Sequence, residues 1–438
     1  MGSQHTPKFD LLVNGSAAPS AMLESVITLR VHQDLEMADC LEMRLSNPDL
    51  SWTESDALVE GTTLELELGY EETSLGLAFQ GTVVRRDCQF PVRGPAIVTV
   101  VAYDKEHALK HGRHHKAWLD MKDSEIAGQI AGAAGLSGDV KDSKVKQRYV
   151  VQHDQTHLGF LRERARRLGY EVAVDRENKK LYFGPPRAKA SIRTITWEVD
   201  LFSFSPRMST VGQPSKVKVR GWDMTKKEPI LSEAASSKAQ VKLNGRDLGA
   251  KLAEKAHGAR EILYPGTPLF EPGEADALVQ ARLDSLTSGY SQANGSCQGD
   301  ATIQPGTVID IQGVGERPSG EYYVDRVLHH FQPGLGFSSH FQVHRASERI
   351  PLPEAEPLPK VVSSREEAPR EEAHYVEFNI RPTSGESVEG WAYTVKLPGG
   401  KEEKGTLDET GVIRVEGIRD PDDVEIEIEH PDDQNPPA

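Results

Sequence analysis

A repeated order of strand-forming segments constrains the fold of this chain more than any other feature. Residues 304–343 contain three runs of β-branched and aromatic residues, at 307–311, 321–327 and 337–343, and Gly/Pro-rich breaks separate them. Such runs predict three consecutive β-strands. In the last run, alternation places four side chains on one face, namely Phe337, Ser339, Phe341 and Val343.

The same order of segments occurs near the start of the chain. Gly61 and Thr62 open a strand-like run as Gly306 and Thr307 do. The runs around residues 79–83 and 94–101 then correspond to the second and third strands. Two copies of one β unit account for this order. A chance likeness between unrelated β-meanders is the alternative, and the pattern leaves both open.

The charge of the chain is concentrated at one end. Of the formal net charge of -16, residues 351–438 carry -13, from 22 acidic and nine basic residues. We therefore expect an acidic terminal module and no general attraction to nucleic acid. Three scattered cysteines without a CxxC pair argue against a disulfide framework or a structural zinc site. No apolar run is long enough to span a membrane, and no signal peptide is visible.

These patterns predict a mainly β fold with an α+β insert, divided into five parts. Two tube-like β-barrel domains flank a small α+β domain, and a C-terminal β-sandwich module follows. The predicted boundaries are a first barrel at residues 1–118, the insert at 119–188, a second barrel with one helix at 189–349, a Pro/Glu linker at 350–372 and the acidic sandwich at 373–438.

Helices are predicted mainly in and after the insert. Residues 124–134 form an amphipathic pattern that Asp123 or Ser124 could cap, and residues 157–168 form another that Asp154 or Thr156 could cap. Gly221, Trp222 and Asp223 are interpreted as a turn before a polar segment at 224–261, which holds a weak helix at 249–256. A stronger helical pattern spans residues 274–286.

A histidine cluster is the strongest candidate for chemistry. His107 and His111 have the i, i+4 spacing of metal ligands on a helix, and His114 and His115 follow. However, Gly112 interrupts the segment, three basic residues add repulsion and no HExxH motif is present. Elsewhere, His329 and His330 are consecutive on a predicted strand and face opposite ways, while His340 and His344 share a face that we interpret as a polar wall.

No other catalytic pattern stands out. The chain lacks the GxxxxGK[ST] and GxSxG motifs, and Gly313-Val314-Gly315 lacks a following helix. Arginines 162, 164, 166 and 167 form a basic helix face that favours solvent exposure or an ion-paired interface over a phosphate site. We therefore assign no catalytic, cofactor-binding or metal-binding residue and predict a protein that is not an enzyme.

The motifs of residues 8–349 resemble, in their order, the baseplate hub proteins of contractile tails, both the phage late-control D protein family and the hub half of VgrG-type proteins. The matching residues are Glu60-Gly61-Thr62, Gly69-Tyr70, Phe79-Gln80-Gly81, Tyr103-Asp104, residues 149–154, Phe160-Leu161, Leu168-Gly169-Tyr170, residues 219–223, Pro305-Gly306-Thr307 and residues 320–324.

This resemblance implies a homotrimer in which two barrels per chain make a pseudo-sixfold ring. Such a ring adapts a hexameric tail tube to a threefold spike. It implies contacts with the tube protein hexamer, a separate spike protein and other baseplate proteins. It also implies assembly in the bacterial cytoplasm and then a place in a phage virion or injection particle. VgrG-type chains continue into a needle of repeats, and residues 350–438 show no such repeat.

Two alternatives from other classes remain. One is a type VI secretion-like adaptor that presents an effector or cargo through residues 373–438. The other is a tail-associated cell-wall hydrolase or metallopeptidase that uses the cluster from His107 to His115.

Overall fold

A computed structural model describes residues 6–175, 179–187, 190–223, 226–238, 248–265, 269–347, 374–382, 386–397, 400–418 and 424–429. The chain forms two compact units, Met1–Pro351 and Leu352–Ala438. The predicted linker at residues 350–372 lies outside the described residues.

The first 103 residues contain seven strands, together with two short helices and a 3-10 turn. The strands are β1 (Pro7–Val13), β2 (Ser16–Ala17), β3 (Val26–Asp34), β4 (Met37–Ser46), β5 (Thr63–Tyr70), β6 (Gly76–Gln89) and β7 (Ile97–Tyr103); the helices are α1 (Ser20–Ser25) and α2 (Ser51–Glu54), and the 3-10 turn is Asp56–Leu58. The β1–β2 hairpin turns at Asn14 and Gly15, whose positive φ angles of 51° and 79° suit the tight turn that this dipeptide predicts.

The insert follows with two small sheets, two helices and a shared apolar core. Its elements are the 3-10 helix Lys105–Lys110, β8 (His114–Lys122), α3 (Asp123–Ala133), β9 (Ser137–Val140), β10 (Lys146–Gln155), α4 (His157–Leu168), β11 (Glu171–Asp175) and β12 (Lys180–Gly184). Strand β8 pairs with β10, and β12 lies between β11 and β9. Trp118, Ile126, Phe160 and Phe183 are buried in the core that joins these elements.

The caps of the two insert helices differ in how well they were predicted. The Thr156 hydroxyl accepts a hydrogen bond from the Gly159 amide at 3.1 Å, which confirms one predicted cap of α4. For α3 the prediction was wrong, because the helix begins at Asp123 and Lys122 occupies the cap position. The Asp123 carboxylate is used instead by an arginine of α4.

The second half of the larger unit carries the remaining strands and two helices. They are β13 (Arg193–Thr196), β14 (Leu201–Met208), β15 (Lys216–Asp223), β16 (Glu228–Ala234), α5 (Gly249–His257), β17 (Glu261–Tyr264), α6 (Pro272–Ser288), β18 (Ser291–Gln298), β19 (Val308–Gln312), β20 (Gly320–Gln332) and β21 (Gly336–Arg345). Helices α5 and α6 confirm the patterns at 249–256 and 274–286.

One predicted turn is wrong. Gly221, Trp222 and Asp223 are the last residues of β15, and they pair with Ile230, Pro229 and Glu228 of β16. Strand β16 therefore lies inside the segment that we interpreted as polar and mostly irregular. Together with β17, these strands form a three-stranded sheet that packs against α6 around Val217, Val219 and Leu278.

A single 13-stranded sheet runs through both halves of the larger unit. Its order is β14-β18-β21-β20-β3-β4-β7-β6-β5-β1-β2, with β19 on β20 and β13 on β19. The two halves meet where β3 pairs with β20. The predicted mainly β fold with an α+β insert is confirmed, and the two β regions share one continuous sheet.

The two halves of the sheet have the same strand order. In chain order, the first half contributes β1, β3, β4, β5, β6 and β7, which lie in the sheet as 1-5-6-7-4-3. The second contributes β13, β14, β18, β19, β20 and β21, which lie as 13-19-20-21-18-14. When the six strands of each half are counted along the chain, strands with the same number occupy the same position in the sheet order of their half. One difference is that β1 is antiparallel to β5, whereas β13 is parallel to β19.

Matching hydrogen bonds fix the register of this repeat. The Gly61 amide donates to the Val83 carbonyl, and the Gly306 amide donates to the Val324 carbonyl, both at 2.9 Å. Both glycines have positive φ, 96° and 86°. Equivalent strands also shift their pairing register at equivalent places. The shift lies between residues 83 and 85 in β6 and between 324 and 326 in β20. It lies between residues 26 and 28 in β3 and between 201 and 203 in β14.

The smaller unit is a β-sandwich with its own core. Strands β22 (His374–Asn379) and β25 (Val412–Ile418) form one sheet, and β23 (Ala392–Leu397) lies between β24 (Lys401–Thr406) and β26 (Glu425–Glu429) in the other. Val395, Leu407, Ile413 and Val415 are buried in its core.

The arginines of α4 hold the insert to its surroundings. Arg164 forms a two-pronged bond with Asp123 of α3 at 2.6 and 3.0 Å, and both side chains are nearly buried. Arg167 binds Glu274 of α6 at 2.6 Å. Arg166 binds Glu36 in an exposed pair. The predicted ion-paired interface is confirmed, and it links α4 to both α3 and α6.

We expect Arg164→Ala to lower the free energy of unfolding of the larger unit by about 3–5 kcal/mol, because Asp123 would stay buried without its partner. Arg166→Ala on the same helix is the matched control and should cost about 1 kcal/mol or less, since its ion pair is solvated. Urea unfolding followed by tryptophan fluorescence measures both. Equal losses in the two variants would contradict the assignment of Arg164 as a buried clamp.

Candidate assembly site

The contact between β3 and β20 is where the two β units meet inside one chain. Six residue pairs form this antiparallel ladder, from Arg326 opposite Asp34 to Phe331 opposite Leu29. The Arg326 guanidinium lies 3.2 Å from the Asp34 carboxylate at one end of the ladder. The contact therefore combines backbone pairing with a charge pair at its rim.

Apolar side chains seal the other end of this contact. Phe331 and Phe337 belong to the second half of the sequence, yet they are buried in the core of the first half. The ring of Phe331 meets Phe9 edge to face at 5.1 Å. Burial of such rings contributes about 1.5–3 kcal/mol each. This core prevents the two β units from separating as independent bodies.

A buried histidine supports β20 from the other face. One ring nitrogen of His329 lies 2.9 Å from the Ser339 hydroxyl, and the other lies 3.1 Å from the Ile303 carbonyl. A carbonyl only accepts, so the Nε2 atom carries the proton and Nδ1 accepts from the hydroxyl. His330 points to the opposite, partly exposed face, as predicted from its neighbouring position on the strand. His329 is thus a structural residue of the sheet.

The predicted histidine cluster separates into ring pairs. His107 stacks on Tyr103 at 4.6 Å, and the ring of His111 meets His107 edge-on. His114 stacks on His157 at 3.7 Å. His115 faces His153, at 5.1 Å. Burial, followed by the charge of His111, lowers the pKa of His107. In the part of the chain that the structure describes, no three His, Cys, Asp or Glu side chains are grouped as metal ligands.

A partly enclosed acidic cavity of about 350 Å³ lies beside the 3-10 helix Lys105–Lys110. Its lining includes Asp34, Asp39, Asp104 and Glu106. Glu106 is buried and its carboxylate lies 3.0 Å from Arg162. Loss of hydration, assisted by Asp39, raises the pKa of Glu106 to about 7 in spite of this arginine. The pair ties α4 to the start of the insert.

Sequence reasoning missed two strands of the main sheet and the end of a third. The predicted run around residues 79–83 stops before Arg85, whereas β6 continues to Gln89. Strands β14 and β18 were not predicted, although β14 forms one edge of the main sheet. The clearest available signal was the repeat itself, because each half needed six strands of the same order.

Comparisons with known proteins identify both a family and a fold. A family model described as the Alg8 N-terminal domain matches residues 3–333. Among solved structures, the 43 kDa tail protein of prophage MuSo2 from Shewanella oneidensis matches with a TM-score of 0.58 and 12% identity, over 78% of this chain and 98% of that chain. A tail protein from Neisseria meningitidis MC58 matches with a TM-score of 0.56 and 10% identity, over 78% and 97%.

A component of the E. coli type VI secretion system is also similar, with a TM-score of 0.49 and 10% identity over 96% of this chain and 99% of that chain. No curated protein matches. The described helices are all too short or too polar to cross a bilayer. The sequence resemblance to tail proteins is confirmed at the level of the fold.

We expect Glu106 to contribute a fall in the unfolding free energy of the larger unit as the pH rises from about 5 to 7. Its folded pKa of about 7 exceeds the ordinary value of 4.5, so the folded state holds its proton more tightly and is favoured at lower pH. The difference corresponds to about 3 kcal/mol. Glu106→Gln should remove this part of the pH dependence.

Urea unfolding at several pH values measures the effect. Glu163→Gln on α4 is the matched control, because Glu163 is exposed. Its pH profile should match that of the native chain. An unchanged slope in Glu106→Gln would mean that the buried carboxyl titrates normally.

Proposed function

We propose that this chain, which belongs to the family described as the Alg8 N-terminal domain, is the structural hub of a contractile injection baseplate or phage tail, because it has the fold of phage tail proteins. In this proposal, three chains form a pseudo-sixfold ring that adapts a hexameric tail tube to a threefold spike. The role is structural and not enzymatic.

The internal repeat is the single observation that carries this proposal. Two β units of equal strand order and equal register lie in one sheet of one chain. A trimer of such chains presents six similar units to a sixfold partner and three distinct subunits to a threefold one. A single β unit per chain would not reconcile the two symmetries in a trimer.

The partners follow from this geometry. One rim of the ring would seat the first tube protein hexamer, and the opposite rim would hold a separate spike protein and contact other baseplate proteins. Assembly would take place in the bacterial cytoplasm, before the hub becomes part of a virion or an injection particle.

The smaller unit supports a second role for the same chain. It is a compact sandwich with its own core, and its strand β26 exposes Glu425, Glu427 and Glu429. We propose that it presents an effector or cargo, or contacts a neighbouring baseplate protein. Pull-downs of candidate effectors with the full chain and with a chain ending at residue 350 separate this role from the hub role.

We expect native mass spectrometry of the purified chain to give three times the mass of one chain at micromolar concentration. Mixing with the cognate tube protein should add six tube subunits per trimer. Negative-stain images of the complex should show a ring with a central channel and six similar lobes. A monomer that persists with and without tube protein would refute the hub proposal.

A further inference from the structure

Inside the chain, β3 of the first β unit pairs with β20 of the second. The repeat contains one further equivalent of each of these two strand edges, and neither has such a partner in the described residues. The first β unit provides β3, and the second provides the carboxyl-terminal half of β20. By the repeat, the equivalent of β3 in the second unit is β14, and the equivalent of that half of β20 in the first unit is Arg85 to Gln89 of β6.

Both of these equivalents have an unpaired backbone edge within the described residues. Strand β14 ends the main sheet and pairs only with β18. Beyond Val83, β6 pairs with β7 on one side, while β5 on the other side reaches no further than Thr82. In the described part of the larger unit, no backbone hydrogen bond reaches residues 85–89 from that open side. An unpaired edge of this kind is a template for another strand.

We propose that β14 of one copy of this chain adds to Arg85–Gln89 of a second copy, antiparallel and in the register of the internal contact. The inference rests on the proposed function for the number of copies in the ring, and on the repeat alone for the contact itself. Each chain has one edge of each kind, so the contact repeats head to tail and can close a ring.

The internal ladder sets the register residue by residue. Leu328 lies opposite His32 and His330 opposite Arg30. Transfer through the equivalent strand pairs puts Asp87 of the second copy opposite Arg207 of the first, and Gln89 of the second copy opposite Ser205 of the first. The next residue on each strand puts Phe90 opposite Phe204, as Phe331 lies opposite Leu29 inside the chain.

The side chains at this register are complementary. Asp87 and Arg207 carry opposite charges, and opposite charges directly across two strands stabilise their pairing. Phe90 is 62% exposed in the single chain, and Phe204 is half-buried. Their contact would cover an aromatic ring that water otherwise surrounds. At the equivalent end of the internal contact, Phe331 is buried in the same manner.

A second copy fits this edge better than a different partner. A foreign strand would need to match the register shift at 83/85 and the charge of Asp87 independently. Strand β14 already has the shift at 201/203 that corresponds to the one in β3 at 26/28. The two edges are therefore matched to each other by the duplication.

Disulfide trapping tests the contact at single-residue resolution. In a Cys88→Ser background, the double variant Gln89→Cys and Ser205→Cys places two thiols at a directly opposed pair, within the reach of a disulfide. Mild oxidation of the assembled full-length trimer should convert most chains to covalent dimers and trimers on a non-reducing gel. Each single variant should remain largely monomeric on that gel.

The control is Gln89→Cys with Ser203→Cys, which moves one thiol two residues along the same face of β14 and out of disulfide reach. It should cross-link at least tenfold more slowly. A trimer by native mass that fails to cross-link, or that cross-links equally in the control, would overturn this interface and leave the hub proposal standing. A chain that stays monomeric throughout would overturn both.

Discussion

The pairing of β3 with β20 is the interaction on which the rest of the larger unit depends. It joins two β units into one sheet, and it places Phe331 and Phe337 of the second half in the core of the first. A ladder fixes both distance and register, because a slip of one residue would turn every buried side chain to the opposite face. Two similar domains on a flexible connection would have no such fixed geometry.

The helical parts stabilise this frame from outside the sheet. The four arginines of α4 each bind a carboxylate of a different segment, namely Glu106, Asp123, Glu36 and Glu274. Buried ion pairs add modest net stability, but loss of one partner is costly. Their effect is therefore mainly orientation, since α4 has one position in which the buried charges are satisfied together.

The sequence predicted those strands whose own residues favour extended structure. The run that Gly61 and Thr62 open and the run around residues 94–101 are rich in β-branched and leucine residues, and β5 and β7 form there. Strand β18, Ser-Gln-Ala-Asn-Gly-Ser-Cys-Gln, has no such preference and forms because β14 and β21 pair with it on both sides. Local propensity cannot detect a strand that its neighbours impose.

The end of β6 was missed for a related reason. Arg85, Arg86 and Asp87 follow an apolar strand and resemble the polar end of a segment, yet β7 holds them in the sheet. In the same way, the spacing of His107 and His111 suggested a helical ligand pair, whereas the chain there is a 3-10 turn in which aromatic rings stack. In both places a local pattern alone does not show the tertiary partner.

The repeat also explains why the two units share so few residues. At one equivalent position of the core, Met43 lies opposite Val100 in the first unit, and Gly295 lies opposite Phe341 in the second. A Cβ atom on Gly295 would come within 2.6 Å of the Phe341 ring, so the larger ring requires the glycine. The side-chain bulk lies on one strand of this pair in the second unit and is shared between the two strands in the first. The copies therefore keep the same strand register although core residues such as these differ, and both retain a glycine with positive φ, at Gly61 and Gly306.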